Sequence, residues 1–149
     1  MLSTVFLRMP DDLECVYPSD ELVQSTAAII MSEGIYDIDL LLSSFPEYKT
    51  WFIENTFGGK GSFENVSAIK ATIDPRGQHI RWFIIHSKGD TLVDERQSHG
   101  MYGFLREKSC LVSRSFDDLE DEHDNILKGQ YIEIIDGYIK GVVAANESS

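Results

Sequence analysis

Asp90 and His123 are the residue types from which acid–base chemistry can be built, and both stand in polar segments that follow apolar runs of the chain. A carboxylate bonded to an imidazole fixes the ring's tautomer. It also stabilises the imidazolium formed when the ring takes a proton from a hydroxyl or thiol nucleophile. The two residues lie 33 positions apart, so only the fold can bring them together. Each also has a plainer reading: an aspartate after a strand closes a turn, and a histidine between Glu122 and Asp124 is a solvated one. Those acidic neighbours favour the protonated ring, which opposes its use as a base at neutral pH.

The other candidate segments carry weaker patterns. The acidic run 117–124 lacks the alternating oxygen ligands and the sixth-position glycine of a calcium loop, and reads as solvated. His79, His86, His99 and His123 show no metal-ligand spacing, so no metal is expected, and His86 reads as a strand-end residue. The Gly58-Gly59-Lys60-Gly61-Ser62 cluster lacks the spacing of a phosphate-binding loop. Ser62 has no second glycine and no preceding apolar strand, while Ser87 and Ser98 read as loop and helix residues, so none is assigned as a nucleophile. Trp51, Phe52 and Phe57 would suit an apolar pocket for an aryl group, or plain core.

These residues must be positioned by a globular domain. The chain has 149 residues, 42% of them hydrophobic and 11% aromatic, enough for a core within a single domain spanning 1–149. With 13 basic against 25 acidic residues the net charge is −12, which argues against nucleic acid or an anionic membrane as partner and leaves small molecules or proteins. Cys15 and Cys110 lie far apart and suit reduced thiols. No leader sequence or membrane span is evident, so a cytoplasmic protein is expected.

Continuous apolar runs predict buried strands at 26–31 and 80–85, and an edge strand at 110–116. Helices are predicted from 18–21 onward, over 36–44 before Pro46, over 94–106 with Asp94 as N-cap, and from Tyr131 to an end at Gly141. Asp74-Pro75-Arg76-Gly77 predicts a turn, and the stretch between it and the 58–61 glycines is ambiguous. The alternation predicts an α/β class with parallel strands, flanking helices, and any site at the carboxyl ends of the strands. So few strands would leave an open edge and an apolar patch, so aggregation or a homodimer is expected.

The Gly34-Ile35-Tyr36-Asp37 segment, the His86-Ser87-Lys88-Gly89-Asp90 segment with Gln97-Ser98 after it, and the final His123-Asp124 pair add a family likeness. Over about residues 26–140 they resemble the C-terminal half of the kynurenine formamidases (arylformamidases), most closely the fungal type, within the α/β-hydrolases. Acid before histidine is also the order in which that superfamily carries them. The resemblance implies a partial α/β-hydrolase fold and hydrolysis of N-formyl-L-kynurenine to L-kynurenine and formate, in tryptophan degradation toward NAD, without metal or organic cofactor. Carried over, Asp90 is the triad acid, His123 the triad base, and Gly34, Ile35 and Tyr36 line or support the pocket. The chain departs from the family in having no Gly-x-Ser-x-Gly elbow and no His-Gly-Gly loop for the oxyanion hole. Each missing oxyanion donor is worth about 2.7–4 kcal/mol, so the chain alone is expected to be nearly inactive, as a truncated product or a piece of a longer chain. The rival readings are another esterase of the same fold and, from a different class, a non-catalytic binding or oligomerisation module.

Overall fold

The structure, a computed structural model, describes residues 6–8 and 17–148. In chain order its elements begin with β1 (Leu7–Arg8), α1 (Asp20–Ser25), β2 (Ala28–Ser32) and α2 (Ile38–Ser44). A π-helical turn (Lys49–Ile53) then runs into α3 (Glu54–Phe57), followed by β3 (Thr72–Ile73), β4 (Arg81–Ile85), α4 (Glu95–Glu107), β5 (Leu111–Ser115) and α5 (Gln130–Glu147). β2, β4 and β5 form a parallel sheet in that order, with Ile29 opposite Trp82 and Trp82 opposite Val112. The parallel pairing follows from the intervening helical segments, which carry the chain back to the sheet's other end before each new strand.

β4 is the central strand, and its side chains serve two cores. Trp82 and Ile84 pack with Ile29, Met31, Met101 and Leu105 on the α4 side. Phe83 and Ile85 pack with Leu119, Ile126 and Tyr131 on the α5 side, where the Phe83 and Tyr138 rings stack at 4.3 Å. Each such side chain gains roughly 1.5–3 kcal/mol from burial, so four in one strand make β4 the element the fold is built on. A third, smaller cluster of Ile38, Leu41, Tyr48, Ile53 and Phe63 lies beside them, and Phe52 and Phe57 pack against it as core. Trp51 is 67% exposed. Tyr48 Oη donates to the Leu92 carbonyl at 3.2 Å, tying this cluster to the loop after β4.

Helix starts follow their caps. Ser19 accepts from Leu22 N, Asp37 from Leu40 N and Asp94 from Arg96 N, so α1, α2 and α4 each begin one residue after a capping side chain. Two expectations are corrected, and two features that the sequence left unassigned are added. α5 does not stop at Gly141 but runs to Glu147, because burial of Val142 outweighs the roughly 1 kcal/mol that a glycine costs inside a helix. β2 is not a fully enclosed strand: it lies at one edge of the sheet, with Ile29 and Met31 buried and Ala28, Ile30 and Ser32 half-buried. The ambiguous stretch resolves into two 3-10 turns, Glu64–Val66 and Ala68–Lys70, and then β3. Finally, β3 pairs antiparallel with β1, a two-residue ladder too short to leave a period in the sequence.

β5 is the other sheet edge, as expected, with Leu111 half-exposed. Cys110 is a free, half-buried thiol, and Cys15 lies outside the described residues. No helix among the described residues is long and apolar enough to cross a membrane.

Candidate active site

The register sets Ser32 opposite Ile85 and Ile85 opposite Ser115, so the segments after β2, β4 and β5 all leave the sheet at one end. Glu33 stands first after β2. Residues 86–90 follow β4, and residues 116–124 follow β5, ending in a single 3-10 turn at His123–Asn125. The two loops are joined by backbone: Lys88 N donates to the Leu119 carbonyl at 3.0 Å, and Ser87 Oγ to the Asp121 carbonyl at 2.6 Å. Between them Gly89 packs flat against the carbonyl oxygens of Glu120 and Asp121, where a Cβ has no room.

The Asp90 side chain is fully buried, and its two oxygens have separate tasks. Oδ1 accepts from Leu92 N at 2.8 Å and Val93 N at 2.9 Å, which is the turn-closing role. Oδ2 lies 2.8 Å from His123 Nδ1, which is the imidazole-orienting role. Asp90 therefore closes the turn with one oxygen and faces the imidazole with the other. Because a carboxylate only accepts, Nδ1 carries the proton and Nε2 the lone pair in the neutral ring, the tautomer a general base requires.

Glu33 completes the cluster. Its side chain is buried, its Oε1 accepts from Ser87 N at 3.1 Å, and its Oε2 stands 3.1 Å from His123 Nδ1. Burial raises the Glu33 carboxyl above its ordinary pKa; the Ser87 N–H and the His123 charge pull it down, and Asp90 pushes it further up. His123 is one-third exposed. Burial pulls its pKa down, but the Asp90 hydrogen bond and the charges of Asp90, Glu33 and Asp124 outweigh that, and the net direction is upward.

Glu33, Asp90 and His123 present ligand-type atoms within 4.8 Å of one another. A divalent cation would fit that reach only if His123 gave up its Nδ1 proton and broke with Asp90, so the hydrogen bonds present suit proton transfer better than metal binding. Among the described residues no serine, threonine or cysteine side chain hydrogen-bonds to the imidazole.

The remaining assignments fall around this cluster. A Cβ on Gly34 would meet the Tyr36 ring at 2.6 Å, so Gly34 is required by that packing. Tyr36 is buried in the α4-side core, and its N–H and that of Asp37 both donate to Gln97 Oε1 at 2.8 Å. Gly34 and Tyr36 thus belong to the packing on the α4 side, and Ile35 is exposed. His86 is buried with Nδ1 3.0 Å from Ser98 Oγ, and burial holds its pKa down: a satisfied core histidine. Ser62, in the loop after α3, donates to Asp39 Oδ2 on α2.

Two contributors escaped the sequence reading, Glu33 and Ser87. The rule that found Asp90, a polar residue just past the carboxyl end of a parallel strand, applies equally to Glu33. It applies to Ser87 as well, two residues past β4, but not to what its N–H and hydroxyl bond, since those partners lie in two segments remote in sequence.

Gly89→Ala is expected to force the two loops apart, costing about 1–3 kcal/mol as an overpacked site does. Urea unfolding measures that loss, and a missing downfield Nδ1 proton in the NMR spectrum would report the broken Asp90–His123 contact.

No protein-family model, curated protein or solved structure matches the chain, which leaves its function to be argued from its residues and their geometry.

Proposed function

We propose that this chain carries the acid and the base of an α/β-hydrolase triad that cleaves N-formyl-L-kynurenine, with the serine nucleophile supplied by a further stretch of polypeptide. The observation that carries the reading is the buried Asp90 carboxylate 2.8 Å from His123 Nδ1, at the carboxyl end of a parallel sheet. The acid follows the central strand and the histidine follows the next, in the order this superfamily uses. The likeness of Gly34-Ile35-Tyr36-Asp37 and His86-Ser87-Lys88-Gly89-Asp90 to the formamidases supplies the substrate.

In this scheme the serine Oγ attacks the formyl carbon while His123 Nε2 takes its proton, and Asp90 stabilises the resulting imidazolium. The imidazolium then protonates the aryl nitrogen as the C–N bond breaks and L-kynurenine leaves. Water, deprotonated by Nε2, attacks the formyl ester; the serine recovers its proton and formate departs. No oxidant, reductant or metal enters the balance.

The test is hydrolysis of N-formyl-L-kynurenine by the chain mixed with a polypeptide bearing a Gly-x-Ser-x-Gly elbow. Turnover in the mixture, absent from either component and from a His123→Ala mixture, is the expected result. No turnover from folded chain and a partner shown to bind it overturns the reading.

A further inference from the structure

We propose that Glu33 is a positioning residue for His123: its carboxylate is a second counter-charge on the imidazole Nδ1–H, and with Asp90 it sets the pH at which the ring becomes a base. The inference rests on His123 being the base of the proposed hydrolase, and adds to that reading a device that controls the site's working pH.

The geometry is built rather than incidental. Glu33 adopts φ +46°, a left-handed conformation that a side chain other than glycine's disfavours, and such strain persists only where the surroundings over-determine it. Its N–H donates to the Ile85 carbonyl at 3.0 Å, continuing the β2–β4 ladder one residue past the strand, so the strained residue is locked to the central strand. Ser87 N then holds Oε1, which turns Oε2 toward the imidazole. Ser87 Oγ bonds the Asp121 carbonyl, so one residue fixes both the second carboxylate and the loop that bears His123.

The charge balance gives this arrangement its consequence. Around the imidazole stand Glu33 from the end of β2, Asp90 from the loop after β4, and Asp124 from its own turn. Among the described residues no lysine or arginine forms an ion pair with Glu33 or Asp90. Two buried carboxylates thus share one cationic partner, His123. Buried charges persist only when paired, so losing the imidazole's proton leaves the two carboxylates facing each other without a counter-charge, which couples the Glu33 and His123 protons.

The test is an NMR titration of the His123 ring in the full chain. Glu33→Gln keeps the Ser87 acceptor and removes the charge, and is expected to lower the His123 midpoint by about one unit, a tenfold loss of proton affinity. In the reconstituted hydrolase the acid limb of the pH–rate profile should move down the pH scale by the same amount. An unchanged midpoint in folded Glu33→Gln overturns the proposal. Should that variant not fold, the wild-type Glu33 carboxyl carbon decides: an inflection at the His123 midpoint sustains the coupling, and independent curves overturn it. A lowered midpoint without any hydrolysis by the mixture would keep Glu33 in its role and remove the formamidase reading instead.

Discussion

Asp90→Asn is expected to lower formyl hydrolysis by the reconstituted enzyme about 10⁴-fold, as loss of the triad acid does where geometry is kept. The substitution is close to isosteric. The Asn carbonyl can still accept from Leu92 N and Val93 N, so the turn that places residue 90 survives. What changes is the atom facing His123 Nδ1 at 2.8 Å. An amide NH₂ donates where the carboxylate accepted, which turns the ring over to the tautomer with its proton on Nε2. That nitrogen then cannot take the nucleophile's proton. ¹⁵N chemical shifts of the imidazole report the tautomer in the chain by itself, and the rate reports its consequence.

The wild-type pH dependence has a definite sign. The His123 pKa is raised above 6.5, so the ring stays protonated further up the pH scale and the rate should rise with pH through a midpoint above that value. The stability linkage runs the other way. A raised histidine contributes stability in full below its unfolded pKa and loses it as pH climbs through the folded one. The active protonation state is therefore the less stable one, and Asp90→Asn, which lowers the ring's pKa, should move the rise in stability with falling pH to lower values. A rate that fell through the same range in the wild type would mean that the protonated ring is the working form.

Much of this was legible in the sequence, for physical reasons. Residues 82–85 are apolar without interruption, which only a strand covered on both faces tolerates, and β4 is that strand. Once three parallel strands are granted, the segments after them must leave at one edge, so the approach of Asp90 to His123 follows from topology although 33 residues separate them. Glu33 was hidden because its environment depends on φ +46° and on the Ser87 N–H, neither of which has a sequence period. Gly141 looked like a helix stop because local propensity speaks for one residue, while the buried Val142 beside it answers to the sheet. β2 looked enclosed because its apolar residues report burial and not which neighbour provides it. The pairing of Gln97 with residues 36 and 37 joins side chain to backbone across the domain, and no pattern in one segment announces it.

If β4 is the element on which both cores and the site depend, then Trp82→Ala should be the most costly core substitution, at about 3–5 kcal/mol. Trp82 is buried on the α4 side among Ile29, Met31, Met101 and Leu105, and a tryptophan reduced to alanine leaves a cavity that β2 and α4 would both have to move to close. A typical domain has only about 5–15 kcal/mol in total, so the variant should unfold at much lower urea with an unchanged slope. Leu111→Ala on the edge strand, where the side chain is 49% exposed, should cost less than about 1 kcal/mol by comparison. The site supplies the second readout. Its acid hangs from the end of β4, so in the folded fraction of Trp82→Ala the Asp90–His123 proton should persist until the global transition and vanish with it. A proton lost well before that transition would mean the two loops are held by their own cross-links, Ser87 to Asp121 and Lys88 to Leu119, independently of the strand that bears them.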